Sequence, residues 1–205
     1  MKLYYAPGAC SLAPHIVARE AGLKLDLDKL DFATRQTESG EAFADVNPKG
    51  YVPALRLDDG SVLTEVATLV QYLADQAPQS GLAPANGTID RYRLQEWLTF
   101  ISTEIHKGFG PLWNAGLPEA AKDAARATLA KRFAYLDGKL KDRPYLTGER
   151  CSAADAYLFT VVNWTNIHNV DLSPYPNLKA YMGRVAARPA VRQALEAEGL
   201  LKQAA

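Results

Sequence analysis

Strand signals fill the first 77 residues of this 205-residue chain and vanish after them. Such a split demands a small mixed α/β unit followed by an all-helical one, each burying one side against something else. Leu3-Tyr4-Tyr5 reads as a short strand stopped by Pro7-Gly8. A helix follows, with Pro14 in its first turn, where a missing N–H is tolerated. Ser11 or Cys10 stands where it can cap that helix, and Gly22 ends it. Leu23, Leu25 and Leu27 alternate with polar residues and predict a second strand. A polar stretch over 33–41 leads to a short helix around Phe43. Ala54-Leu55-Arg56-Leu57 and Ser61-Val62-Leu63 flank Asp58-Asp59-Gly60, a hairpin pattern. A helix from about Glu65 to Gln76 turns Leu69, Val70 and Leu73 inward.

The resulting order, β-α-β-α-β-β-α, is that of thioredoxin-like domains, here over residues 1–77. Pro78, Gly81, Pro84 and Gly87 mark 78–87 as a linker. Residues 88–205 carry only helical patterns: Ile89 to Asn114, Glu119 to Leu140, Ala153 to Ile167, Leu178 to Ala187, and a last helix opened by Pro189. Ser152-Ala153-Ala154-Asp155 predicts a capping box, with Asp155 fixing a buried helix start.

Lys+Arg and Asp+Glu number 23 each, so the formal net charge is zero. That balance argues against nucleic-acid or membrane-surface partners, which favour a basic excess. No apolar run approaches the roughly 18 to 20 residues of a membrane span. Lys2-Leu3-Tyr4-Tyr5 running into Pro7-Gly8 is unlike a signal peptide, and a cytoplasmic protein is the expectation. Two cysteines, Cys10 and Cys151, are too few for a disulfide framework. No His/Cys/Asp spacing suggests a metal site.

Four places could carry chemistry. Cys10 opens a helix after a strand and a Pro-Gly turn, where free N–H groups and the positive helix end favour a thiolate. The alternative is an inert, partly buried cysteine. Ala13 stands where a resolving cysteine would be, which argues against a dithiol oxidoreductase. A cis Pro53 before a strand would turn the Val52 backbone outward beside Cys10, ready to pair with an extended ligand; the alternative is a trans proline in an ordinary turn. Glu65 and the Val66 N–H, opening a helix, could hold the ammonium and carboxylate of an α-amino acid end, or Glu65 could simply favour the helix dipole. His106 could polarise a bound sulfur and Lys107 neutralise a carboxylate; in isolation both read as ordinary helix residues. His15 and His168 read as packing residues. Trp113 and Trp164 are core aromatics by default, though aromatics between helices can line a pocket.

Taken together, Tyr4-Tyr5-Ala6-Pro7-Gly8-Ala9-Cys10-Ser11-Leu12-Ala13-Pro14-His15, Asn47-Pro48-Lys49-Gly50-Tyr51-Val52-Pro53, Leu63-Thr64-Glu65, Glu96-Trp97-Leu98, Glu104-Ile105-His106-Lys107 and Ser152-Ala153-Ala154-Asp155-Ala156-Tyr157-Leu158-Phe159 resemble the bacterial beta-class glutathione S-transferases over nearly the whole chain. The resemblance implies a homodimer with a glutathione site between the two domains of each subunit, glutathione as co-substrate, and a hydrophobic pocket for a small electrophile near Trp113 and Trp164. It implies that Cys10 and His106 are catalytic, with Cys10 at the glutathione sulfur and able to form a mixed disulfide with it. It assigns glutathione contacts to Arg35, Val52, Pro53, Glu65, Val66, Thr99, Thr103, His106 and Lys107. Arg35 stands where the class usually has Lys, and Thr99 where it usually has Asn. Other readings of the same scaffold are a non-catalytic regulator, which would have lost the ligand residues, and a specialised glutathione-dependent dehalogenase or isomerase.

Overall fold

A computed structural model describes residues 1–201. Its first unit is a four-stranded sheet in the order β2-β1-β3-β4. The strands are β1 (Lys2–Tyr5), β2 (Asp26–Lys29), β3 (Ala54–Arg56) and β4 (Val62–Thr64). β1 is parallel to β2 and antiparallel to β3, with Leu3 opposite Leu27 on one side and Leu55 on the other. A parallel pair needs a crossover, and α1 (Leu12–Glu20) supplies it. The Asp58-Asp59-Gly60 hairpin joins β3 to β4, with Gly60 at φ +85° as its turn requires.

Side chains alternate across β1. Leu3 and Tyr5 face α1 and α3 (Val66–Asp75), within a core that continues into the helical unit. Tyr4 faces the other way, onto Phe43, Val46, Val52 and Ala54 beneath α2 (Phe43–Val46). The 33–41 stretch is tied down by bridges Leu30–Thr37 and Gln36–Ala42 and by Ser39 on the Asp28 carboxylate. Ser11 differs from its expected role: it caps nothing, and its hydroxyl turns back onto the N–H and carbonyl of Ala6.

From Ile89 on, helices are the only regular elements among the described residues. They are α4 (Ile89–Phe100), α5 (Gly110–Trp113), α6 (Glu119–Lys139), α7 (Ala153–Val162), α8 (Thr165–His168), α9 (Pro176–Ala186) and α10 (Pro189–Ala197). The expected single helix over Ile89 to Asn114 is instead α4, a π-helical turn at Ile101–His106, a 3-10 turn at Lys107–Phe109, and α5. Gly108 permits this wide-then-tight winding to press on α6, since a Cβ there would lie 2.8 Å from Leu129 Cδ2. Every residue of α7 is buried, as an all-round apolar helix must be. Its capping residue Ser152 gives both N–H and hydroxyl to the Asp155 carboxylate, which also takes the Leu146 N–H and the Tyr181 hydroxyl. α1 packs against α3, α7 and α10, so the two units share one buried face. No helix among the described residues is long and apolar enough to cross a membrane.

Candidate functional site

Cys10 ends the loop between β1 and α1. The loop is held from the helical unit at a single residue: Trp164 Nε1 donates to the Gly8 carbonyl at 2.8 Å, and Gly8 N–H donates to Glu198 Oε2 at 2.9 Å. Gly8 takes φ +71°, which a side chain would strain. Glu198 is itself buried and bonded to His15 Nδ1 at 2.9 Å, so His15 joins α1 to the end of α10.

The Val52–Pro53 peptide is cis, as the sequence position anticipated. The Val52 carbonyl accepts the Cys10 thiol at 3.3 Å, while the Val52 N–H has no partner among the described residues. Arg35 reaches the same loop, donating to the Gly50 carbonyl. The expectation of an acidic Cys10 is not met. Burial pushes its thiol up to about 12, outweighing the opposing pull of its own backbone N–H and of the Lys107 charge. The helix start does favour the thiolate, but the apolar surroundings cost the charge more.

Glu65 begins α3 in a left-handed conformation, φ +71°. Its Oε1 accepts Lys49 Nζ at 2.7 Å and the Tyr51 hydroxyl at 2.9 Å. The hydrogen bond from Lys49 holds the carboxyl below its ordinary value. The amide of Val66 is one of the free N–H groups of a helix start. His106, at the end of the π-helical turn, bonds through Nδ1 to the Tyr157 hydroxyl at 2.6 Å and meets Trp164 edge-on at 5.0 Å. Burial first, then the neighbouring Lys107 charge, lowers its pKa to about 4, so the ring is neutral near pH 7. Tyr51, bonded to Glu65, and Trp164, packed against His106, converge with Cys10 on one point.

Beside that point lies a cavity of about 420 Å³ lined by Pro7, Gly8, Ala9, Cys10, Phe32, Tyr51, Val52, Trp113, Trp164 and Ile167. Cys10, Val52, Trp113 and Trp164 were singled out in the sequence; Phe32, Tyr51 and Ile167 were not. All three are exposed apolar side chains on separate segments, a property no local pattern announces. Thr99 on α4 and Thr103 in the π-helical turn are exposed, and Thr103 Oγ1 bonds only one turn back, to the Thr99 carbonyl. Both line a shallow groove with Glu96, Phe100, Glu104 and Arg132, and neither borders the cavity. No group of three or more His, Cys, Asp or Glu that could hold a metal ion occurs among the described residues.

Family models described as the glutathione S-transferase N-terminal and C-terminal domains match residues 8–76 and 100–189. The chain is 47% identical over 200 residues to glutathione S-transferase GstA of Escherichia coli O157:H7, covering 98% of this chain and 100% of that protein. A solved ternary complex of BphK, a bacterial glutathione S-transferase, superposes with a TM-score of 0.96 at 54% identity, covering 98% of this chain and 100% of that one. A sphingomonad glutathione S-transferase solved with glutathione gives 0.95 at 49% identity over the same shares.

Proposed function

The chain belongs to the glutathione S-transferase family, and on that premise we propose that its cleft joins glutathione to a small hydrophobic electrophile. It is a transferase with glutathione as co-substrate. The observation that carries the reading of the cleft is the meeting of two unlike halves at Cys10: a polar one, where Tyr51 bonds to Glu65 and His106 meets Trp164, and an apolar cavity walled by Trp113, Trp164, Phe32 and Ile167. Glutathione is polar and peptide-like with one thiol; its partner is apolar. Each half suits one of them.

In this reading the Val52 N–H and carbonyl pair with the glutathione backbone beside Pro53, as a strand edge does. Glu65 holds the γ-glutamyl ammonium and the Val66 N–H its carboxylate. Arg35 and Lys107 supply positive charge for the remaining carboxylate, and His106 completes the corner; Thr99 and Thr103, to which the resemblance also assigns contacts, line a separate groove and take no part in this reading. The thiol sits beside Cys10. The Lys107 charge, which favours the Cys10 thiolate, has the same sign of effect on a thiol bound beside it, and each unit removed from that thiol's pKa is worth about 1.4 kcal/mol. Neutral His106, oriented by Tyr157, donates its remaining ring N–H toward the sulfur. The thiol proton leaves to solvent, the sulfur attacks the electrophilic carbon, an S–C bond forms, and the leaving group departs with its electron pair. Thiol–disulfide exchange through Cys10 requires its thiolate, which burial opposes, so conjugation is the preferred chemistry. The working form is a cytoplasmic homodimer.

Calorimetric titration of glutathione into reduced protein, with turnover of 1-chloro-2,4-dinitrobenzene followed in parallel, tests the reading. Saturable binding with turnover is expected. Absence of both, with the protein folded, would leave only a non-catalytic scaffold.

A further inference from the structure

His168 is a histidine that the chemistry above leaves unused. It ends α8, one turn beyond Trp164. Its ring lies 4.3 Å from that of Trp113 at 84°, the shortest ring separation among the described residues. Phe109 flanks it at 5.9 Å. Its Nε2 is buried and has no hydrogen-bond partner among the described residues. A buried ring nitrogen is ordinarily paired, and leaving it unpaired costs free energy. Contacts of the ring itself therefore define the environment of this side chain.

Trp113 is what those contacts hold. It is the last residue of α5, beyond which the backbone turns extended at Asn114. Half of its surface is exposed, yet it lines the cavity. A large, exposed side chain at a helix end has rotamer freedom to lose. Here two rings meet the indole edge-on, His168 at 4.3 Å and Trp164 at 5.5 Å. Trp164 is fixed by its bond to Gly8. His168 is the second support.

We propose that His168 is a positioning residue for the second substrate: it fixes the Trp113 indole as a wall of the cavity and thereby favours flat aromatic electrophiles over aliphatic ones. A planar ring gains from packing on an indole already held in place, and an alkyl group gains less from the same order. The inference rests on the reading of the cavity as the electrophile site.

Steady-state kinetics with 1-chloro-2,4-dinitrobenzene and with iodoethane test it. His168→Ala raises KM for the aromatic substrate roughly threefold to tenfold, the size of one aromatic contact. It leaves the KM for glutathione and the kcat/KM for iodoethane near wild type. His168→Phe, which keeps a ring and removes the unpaired nitrogen, restores the aromatic KM. In a Trp113→Ala background, His168→Ala adds nothing. Equal losses with both electrophiles, failure of His168→Phe to rescue, or an effect that adds to that of Trp113→Ala would overturn the proposal. If Trp113→Ala raises the aromatic KM and His168→Ala does not, this proposal alone falls. If Trp113→Ala leaves it unchanged, the cavity is not the electrophile site and both readings fall.

Discussion

At Glu65 a strained backbone and a paired carboxylate coincide. A non-glycine residue at φ +71° costs on the order of 1–3 kcal/mol, which the surrounding structure must sustain. The strain sets the carboxylate at a helix start with one oxygen on Lys49 and Tyr51. Glu65→Ala should weaken glutathione binding by about 1.5 to 3 kcal/mol, the value of a hydrogen bond to a charged group; an unchanged dissociation constant in calorimetry would remove Glu65 from the site. For Cys10 the expected result is quieter. Thiolate absorbance of the free protein and of Cys10→Ala should coincide through about pH 8 to 9, the ordinary thiol range, because burial holds this thiol protonated up to about 12. A thiolate appearing near neutrality in the wild type alone would contradict that. His106 works in the opposite direction. Its folded pKa of about 4 lies below the ordinary 6.5, so the unfolded chain binds the extra proton between those values. Stability from this group is complete above about 6.5 and is lost as pH falls towards 4. Urea midpoints measured from pH 7 to 4 should fall less steeply in His106→Gln than in wild type. The polar corner was legible because Cys10, Pro53 and Glu65 each sit where a strand meets a turn or helix. The ionisation of Cys10 was not, since local sequence shows the helix start that favours the thiolate and hides the apolar neighbours that oppose it.

Elements show the same division between local and distant causes. The hairpin at Asp58-Asp59-Gly60 and the box at Ser152–Asp155 are set within a few residues, and both stand where the sequence put them. The winding change at Ile101–His106 has no such signature. It ends at His106, and just beyond it Gly108 lets the chain lie close to Leu129 on α6, a contact across 21 positions. Ser11 failed as a cap for a related reason: the Ala6 backbone offered its hydroxyl a nearer partner. The Asp155 box goes further than a cap, because its carboxylate also collects Leu146 and Tyr181 from outside α7. Asp155→Ala should therefore cost about 2 to 4 kcal/mol, one lost cap together with orphaned buried donors, while Ser152→Ala should cost about 1. Equal losses in urea denaturation would mean that the box does no more than start the helix.

For the molecule as a whole, the question is whether a sheet unit and a helical unit behave as two bodies. Their contacts argue for one. Arg188 forks onto both oxygens of Glu20, Arg91 does the same on Asp75, and Ala153 N–H reaches the Leu82 carbonyl in the connecting segment. The apolar core is continuous from Leu3 and Ile16 to Val161 and Leu195. Neither unit can open without exposing α1, which lies against α3 of its own unit and against α7 and α10 of the helical one. The chain carries its own probes for both halves. Trp97, Trp113 and Trp164 all belong to the helical unit, and Cys10 is the cysteine of the sheet unit. Guanidinium unfolding followed by tryptophan fluorescence and by Cys10 labelling in a Cys151→Ala background should give one midpoint, as a cooperative two-state domain requires. Two midpoints would mean that the shared core is too weak to couple the halves. The cleft that lies between them would then depend on its ligands to hold it together, and added glutathione should draw the midpoints towards each other by mass action.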